Sequence, residues 1–308
     1  MKRDSVDVVV PFFGNDAALR DLAARLSRLR LADDDSLTVV DNTPAARSIE
    51  RTVDGVHVIA ATERQSSYFA RNVGAGTQGA EWIVFIDADV EPAPDLVERY
   101  FEPAPRSGSG LLAGAIIDGP PLDGDDQSIT ARYAILRGAM VQDNTMGDHR
   151  WSYAQTANCA VRRVIFERLG GFPDNVRSGA DADLSFRLRA AGWGIERRDS
   201  ARVVHRSRSS VRRLLAQRAR HGSGAAWLNQ IHPGSFPPPR HFGLIVFTIR
   251  SLLSAGSDLV AGRHDAALLA YMEPLSTWAF VLGRAIPNES DRRPRGMLGR
   301  GLERLLVG

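Results

Sequence analysis

The chain has 308 residues, 44% of them hydrophobic and 24% charged, with a formal net charge of +3. That balance excludes a disordered chain and allows one large domain, or one domain with an appendage. A single cysteine, Cys159, excludes an intrachain disulfide framework and a cysteine-built zinc site.

The apolar run near the start is too short for a signal peptide, so a cytoplasmic setting is expected. Lys2 is the only lysine, and the basic charge is carried by arginine. That bias fits either a GC-rich genome or attraction to phosphates, nucleotides and anionic lipid heads.

"VDVVVPFF" (6–13) reads as a buried strand ended by Pro11 and Gly14. Asn15 is the expected N-cap of a helix carrying Leu19, Leu22, Leu26 and Leu29 at helical spacing. Strands follow at 36–42, 55–61 and 81–87, with a helix over "QSSYFARNVGAGTQG" before the last. Strands alternating with helices predict an α/β domain with a mixed, mostly parallel sheet, whose ligands bind at the carboxyl ends of strands. Asp41 and Asp87 stand at such ends.

Further on, 109–118 is expected as a strand, 129–142 as a helix, and 162–172 as a short helix closed by Gly170-Gly171. Residues 181–193 predict a helix with Leu184, Leu188 and Ala191 on one face, and His205 is expected to follow a short strand.

The segment "PGSFPPPRHFG" marks a boundary, because successive prolines favour an extended connector. The division expected is 1–232, a linker at 233–243, and a helical region at 244–308. In the last region Arg250, Asp258 and Pro274 are expected to interrupt the apolar runs short of a membrane span. An interfacial or dimer-forming helical pair fits, as does packing on the catalytic domain. Leu298, Leu302, Leu305 and Leu306 in the basic tail are spaced like one helix face.

The chemistry centres on Asp87-Ala88-Asp89. Carboxylates at i and i+2 on extended backbone point to one side and suit a hard divalent cation. A strand-end turn capped by Asp89 is the alternative. Arg71 in "ARNVGAG" offers a forked cationic donor for phosphate, and Gly74 and Gly76 permit close backbone approach. Asp181 is a candidate general base or a helix cap, and His205 a metal ligand or a structural imidazole.

In chain order, "VVVPFF", "VVDN", "ARNVGAG", "WIVFIDADVEP", "NCAVRRVIFERLGGF", "GADADLSFRLRAAGW" and "ARVVHR" resemble a family 2 glycosyltransferase of GT-A fold over about residues 5–230. The resemblance implies inverting transfer of a sugar from a UDP, GDP or dTDP sugar to an acceptor hydroxyl, with Mn²⁺ or Mg²⁺ and no nucleic acid. By position it assigns Pro11, Phe12, Asp41, Arg71, Asn72 and Asp87 to the nucleotide sugar. Asp89 and His205 go to the metal and Asp181 to the base. Asn158, Asp183, Gln217 and Arg220 go to the acceptor or diphosphate side.

Two departures stand out. Ala180 replaces the usual glutamate before the base, and His221 replaces the tryptophan of the processive Gln-x-x-Arg-Trp motif. Non-processive transfer is therefore expected, on a lipid-linked glycan at the inner face of the membrane, or on a soluble natural product or peptide. A decayed nucleotide-sugar-binding protein and a homodimer are further readings. A nucleotidyltransferase would need a basic glycine-rich loop after the first strand, which "PFFGNDAAL" lacks.

Overall fold

The computed structural model describes residues 3–44, 46, 50–119, 128–206 and 210–289. The tail leucines and most of the loop at 119–128 lie outside the described residues.

In chain order the elements are β1 (Val6–Phe12), α1 (Asp16–Leu26), β2 (Ser36–Asp41), β3 (Glu50–Val53), β4 (Val56–Ala60), α2 (Ser67–Ala75), β5 (Trp82–Ile86), β6 (Val90–Pro92), α3 (Leu96–Tyr100), β7 (Ser109–Gly119) and α4 (Ile129–Arg137). Then come β8 (Asn158–Arg162), α5 (Arg163–Arg168), α6 (Ala180–Ala190), β9 (Gly194–Arg206), α7 (Val211–Ile231), α8 (His241–Val260) and α9 (His264–Gly283).

Two compact units result. The first comprises residues 1–117, 140–176 and 180–205. Its sheet runs β3-β4-β2-β1-β5-β8-β7-β9-β6. The sheet is mixed as expected, with parallel pairing at β4-β2-β1-β5 and antiparallel pairing at β3-β4, β5-β8, β7-β8 and β6-β9. Pro11 is tolerated in central β1 because pairing with β5 stops at Val9, so its missing N–H breaks no ladder on that side.

Val6, Val8 and Val10 of β1 pack with Leu19, Leu22 and Leu26 of α1 and with Trp82, Val84 and Ile86 of β5. Each such buried side chain contributes roughly 1.5–3 kcal/mol. The helix starts where Asn15, in extended conformation, accepts the Ala18 amide at 2.9 Å. Gly74 lets α2 lie directly on the sheet, for a Cβ there would stand 2.4 Å from Val9 Cγ1 and 2.8 Å from Val40 Cγ2. Gly76 meets only backbone oxygens at 3.5 Å and beyond, so the close approach belongs to Gly74.

The second unit comprises residues 118–139, 177–179 and 206–308, and so contains α4 and α7 to α9. The Pro-rich segment 233–243 lies inside it, and α7, which precedes that segment, packs on α9. A Cβ on Gly222 would stand 1.9 Å from the Phe280 carbonyl oxygen, and one on Gly283 2.0 Å from that of Ala219. These glycines bring the two backbones into contact. The expected interruptions of the C-terminal helices do not occur. Both α8 and α9 are continuous over 20 residues, with Pro274 inside α9, and both are long and apolar enough to cross a membrane.

Candidate active site

Parallel pairing places the carboxyl ends of β1, β2 and β5 at one edge of the sheet. Register sets Phe12 beside Asp41. Asp41 is buried, and its carboxylate accepts from the Thr43 amide at 3.1 Å and from Arg51 at 3.0 Å. The Thr43 hydroxyl bonds the Gly14 amide at 3.1 Å and the Gly14 carbonyl at 3.2 Å, tying the loops after β1 and β2 together. Pro11 and Phe12 therefore end on a fixed rim.

After Ile86 the chain does not stay extended. Asp87-Ala88-Asp89 forms a turn, with the Val90 amide donating to the Asp87 carbonyl at 3.4 Å. The expected same-side alternation of extended carboxylates is thus overturned. Pro92 lies in β6 opposite Val203, with Val90 opposite His205. His205 stands within the 13-residue strand β9 rather than after a short one.

That ladder brings the two expected metal ligands together. His205 Nε2 lies 3.7 Å from Asp89 Oδ2, with the imidazole buried and the carboxylate 41% exposed. Asp87 instead forms an ion pair with Arg71, a buried guanidinium on α2. Burial raises the Asp87 carboxyl above its ordinary range, with Arg71 opposing and Asp89 reinforcing.

Asp181 stands in the first turn of α6, where its carboxylate accepts from the Ala182 amide at 3.0 Å. Burial pushes it up to about 6; the Ala182 amide and Arg71 pull it down, and Asp87 adds to the rise. Arg71, Asp87 and Asp181 therefore share one local field. Tyr68, one turn before Arg71 on α2, is buried, with the Arg71 guanidinium 5.4 Å from its ring centroid. Cys159 is buried among the same charges and pushed up to about 12, which rules it out as a thiolate nucleophile at neutral pH. Ala180 is wholly buried, leaving Asp181 as the carboxylate at the start of α6 able to face a substrate.

Other expected residues have structural work. Asn72 grips both backbone groups of Phe172, donating to its carbonyl at 2.7 Å and accepting its amide at 3.0 Å. Asp183 is buried against Arg187 at 2.7 Å, and Arg187 also donates to the carbonyls of Leu169 and Gly171 at 2.7 and 2.8 Å. Both side chains fix the Gly170-Gly171 bend, whose φ values of +77° and +68° need glycine. Asn158 is corrected outright as an acceptor contact. It has no exposed surface, and its amide is fully used on Ala115, Ala201 and Tyr100 at 2.9, 2.9 and 2.6 Å. Gln217 and Arg220 lie on α7 of the second unit. Ala191 is exposed past the end of α6, off its expected apolar face.

Sequence reasoning missed Arg25. From the last turn of α1 its guanidinium donates to the Val90 carbonyl at 2.7 Å and the Ala88 carbonyl at 3.0 Å, bracing the turn that carries Asp89. Nothing in the local sequence separates Arg25 from its neighbours Arg20 and Arg28. Arg51, which holds Asp41, was missed because β3 is short and mostly polar.

The donor set fits a divalent cation. One carboxylate and one imidazole 3.7 Å apart can share an ion, and among the described residues no cluster of three His, Cys, Asp or Glu closes a cage around it. Open positions suit Mg²⁺ or Mn²⁺, which keep waters and substrate phosphate oxygens. A cavity of about 580 Å³ lined by Ser36, Thr38, Glu50, His57 and Gln78 lies at the amino ends of β2 and β4, the edge opposite these carboxylates. The chemistry-bearing groups are not in it.

The sequence profile described as Glycosyl transferase family 2 matches residues 7–170, more than half of the chain. A pre-mycofactocin glycosyltransferase of Mycobacterium tuberculosis is 27% identical over 241 residues, covering 76% of this chain and 49% of that protein. Glycosyltransferase AglE of Haloferax volcanii is 25% identical over 197 residues, covering 62% of this chain and 63% of AglE. The chain thus spans about half to two thirds of the length of these relatives. The mannosyltransferase PcManGT from Pyrobaculum calidifontis, solved in complex with GDP-Man and Mn²⁺, aligns with a TM-score of 0.58 at 17% identity, over 92% of this chain and 87% of that one. The fold is accordingly GT-A, and the chain belongs to glycosyl transferase family 2.

Proposed function

We propose that this protein transfers a sugar, with inversion, from a nucleotide-diphosphate sugar to an acceptor hydroxyl, one or a few residues at a time. The observation that carries the reading is Asp181. Its carboxyl, pushed up to about 6, shares a field with Arg71 and Asp87, the residue two before Asp89 of the Asp89–His205 pair. A base poised near neutral pH balances availability against proton affinity.

Asp181 takes the acceptor hydroxyl proton as that oxygen attacks the anomeric carbon from the face opposite the leaving diphosphate. Pro11, Phe12 and Asp41 hold the nucleobase end at the rim of β1 and β2. Arg71 pairs with Asp87 and orients it beside the nucleotide. Asp89 and His205 would hold Mn²⁺ or Mg²⁺, the imidazole favouring Mn²⁺, and such an ion would supply Lewis-acid neutralisation of the diphosphate. The Mn²⁺ and GDP-Man bound by PcManGT support a metal and a nucleotide sugar here.

For the acceptor we favour a lipid-linked glycan at the inner face of the cell membrane, on the strength of the exposed apolar surface of α8. A soluble natural product or peptide as acceptor is the second reading. A panel of nucleotide-diphosphate sugars with Mn²⁺ tests the function. Thermal stabilisation by one donor together with its slow hydrolysis supports transfer. Binding with no turnover on any acceptor would identify a decayed sugar-nucleotide receptor instead.

A further inference from the structure

Helix α8 is inside out for a helix in water. The face it turns inward carries Leu244, Thr248, Ser251, Ala255 and Asp258, all buried or half-buried, and Thr248 accepts the Trp278 indole N–H of α9 at 3.0 Å. The spacing of those residues is that of one helix face. The outward face carries Phe242, Ile245, Ile249, Leu252, Leu253 and Val260, exposed by 46% to 91%. Their spacing makes one continuous stripe along a helix of about 30 Å. Apart from Leu244, the covered positions are thus small or polar, while six large apolar side chains face out. Such a stripe exceeds the scattered apolar exposure usual on monomers.

The charges select what covers it. Arg240 and His241 stand at the start of α8, His264 just beyond its end, and exposed Arg250 at its midpoint. The acidic residue of the helix, Asp258, is neutralised by Arg263 at 2.6 Å. A two-fold pairing of antiparallel α8 helices would pass its axis near residue 250 and set two Arg250 guanidinium groups together. Anionic headgroups instead pair with that arginine. A midpoint arginine also disfavours α8 spanning the bilayer, where a central cation is costly.

The geometry points to α8 as a docking surface for an anionic lipid bilayer, lying in the interface with its stripe in the acyl boundary and Arg250 at headgroup level. This goes beyond the transfer reaction and does not depend on which acceptor is used.

The test is flotation of the full chain, without donor or metal, on vesicles of phosphatidylcholine alone and of phosphatidylcholine with phosphatidylglycerol. Wild type should float with the anionic vesicles and about tenfold less with the neutral ones. Ile249→Glu and Leu253→Glu should each abolish flotation, and Arg250→Glu should reduce it about tenfold on anionic vesicles. Unchanged thermal melting and nucleotide binding would establish that these exposed positions leave the fold intact. Failure of wild type to float, or flotation of Leu253→Glu at the wild-type level, overturns the proposal. So does a lipid-free dimer that Leu253→Glu dissociates, since a second copy would then be the occupant. Loss of transfer activity does not bear on flotation, so the two readings fail separately.

Discussion

His205 faces Val90 across the β6–β9 ladder, and its Nε2 thereby reaches to 3.7 Å from the carboxylate of Asp89. Strand register sets this meeting of residues distant in sequence. It gives the carboxylate pair of the turn an asymmetry, because Asp87 is engaged by Arg71 while Asp89 meets the imidazole.

If these two groups hold the ion, Asp89→Ala should lose the Mn²⁺-dependent part of nucleotide affinity, by about tenfold or more. His205→Asn should lose less. Titration calorimetry with and without Mn²⁺ separates that part from metal-independent binding, which should persist. A full Mn²⁺ effect in Asp89→Ala would remove Asp89 from the ligand role.

Arg25 braces the same turn through the carbonyls of Val90 and Ala88. Arg25→Ala should raise the Mn²⁺ concentration needed for half-maximal nucleotide binding by about 10–100-fold. Amide exchange over 87–91 should quicken, and Arg25→Lys should rescue in part. If exchange quickens while the metal requirement stays fixed, Arg25 is structural only.

Gly74→Ala tests how α2 is seated. Alanine gains roughly 1 kcal/mol in helix propensity. The added Cβ meets Val9 and Val40 well inside van der Waals contact, and overpacking of that kind costs about 1–3 kcal/mol. Net destabilisation, read as a lower denaturant midpoint with unchanged slope, is expected. A stabilised variant would mean that the helix can lift off the sheet at little cost.

The Asp181 carboxyl carries two pH signatures. As the base it must be ionised, so kcat/KM should fall below about pH 6 rather than below pH 4. For stability the sign is the reverse of a salt bridge. Folding raises its pKa from 3.8 to about 6, so the ionised form destabilises the fold. That penalty is absent below about pH 4 and complete above about pH 6. Asp181→Asn should therefore stabilise by about 1–3 kcal/mol at pH 8, with partial exposure trimming the value, and by almost nothing at pH 4. Equal melting shifts at both pH values would contradict the buried-charge account.

The sequence made the α/β core legible because its strands are β-branched runs and its first helix carries leucines at regular spacing. β3, β6 and α3 escaped because they are three to five residues long and lack a periodic pattern. β8 and α7 escaped for a different reason. β8 was read as part of a motif, and α7 carries arginines on several faces, hiding a seam made by Ala219 and Gly222. Arg71, Asp87, Asp89, Asp181 and His205 were singled out by ordered motifs. The geometry among them was not, for it depends on a turn where alternation was expected and on a ladder to β9. Asn158 shows the converse. A motif asparagine looks like a ligand until its amide is found filled by three core partners.

The most direct test of the account is single-turnover transfer by Asp181→Asn with the identified donor and acceptor, alongside calorimetry of donor-nucleotide binding. The account predicts a loss of transfer of at least about a thousandfold, with nucleotide affinity in Mn²⁺ within a few-fold of wild type. Transfer at the wild-type rate would contradict it, and the proton would then have to leave through another group.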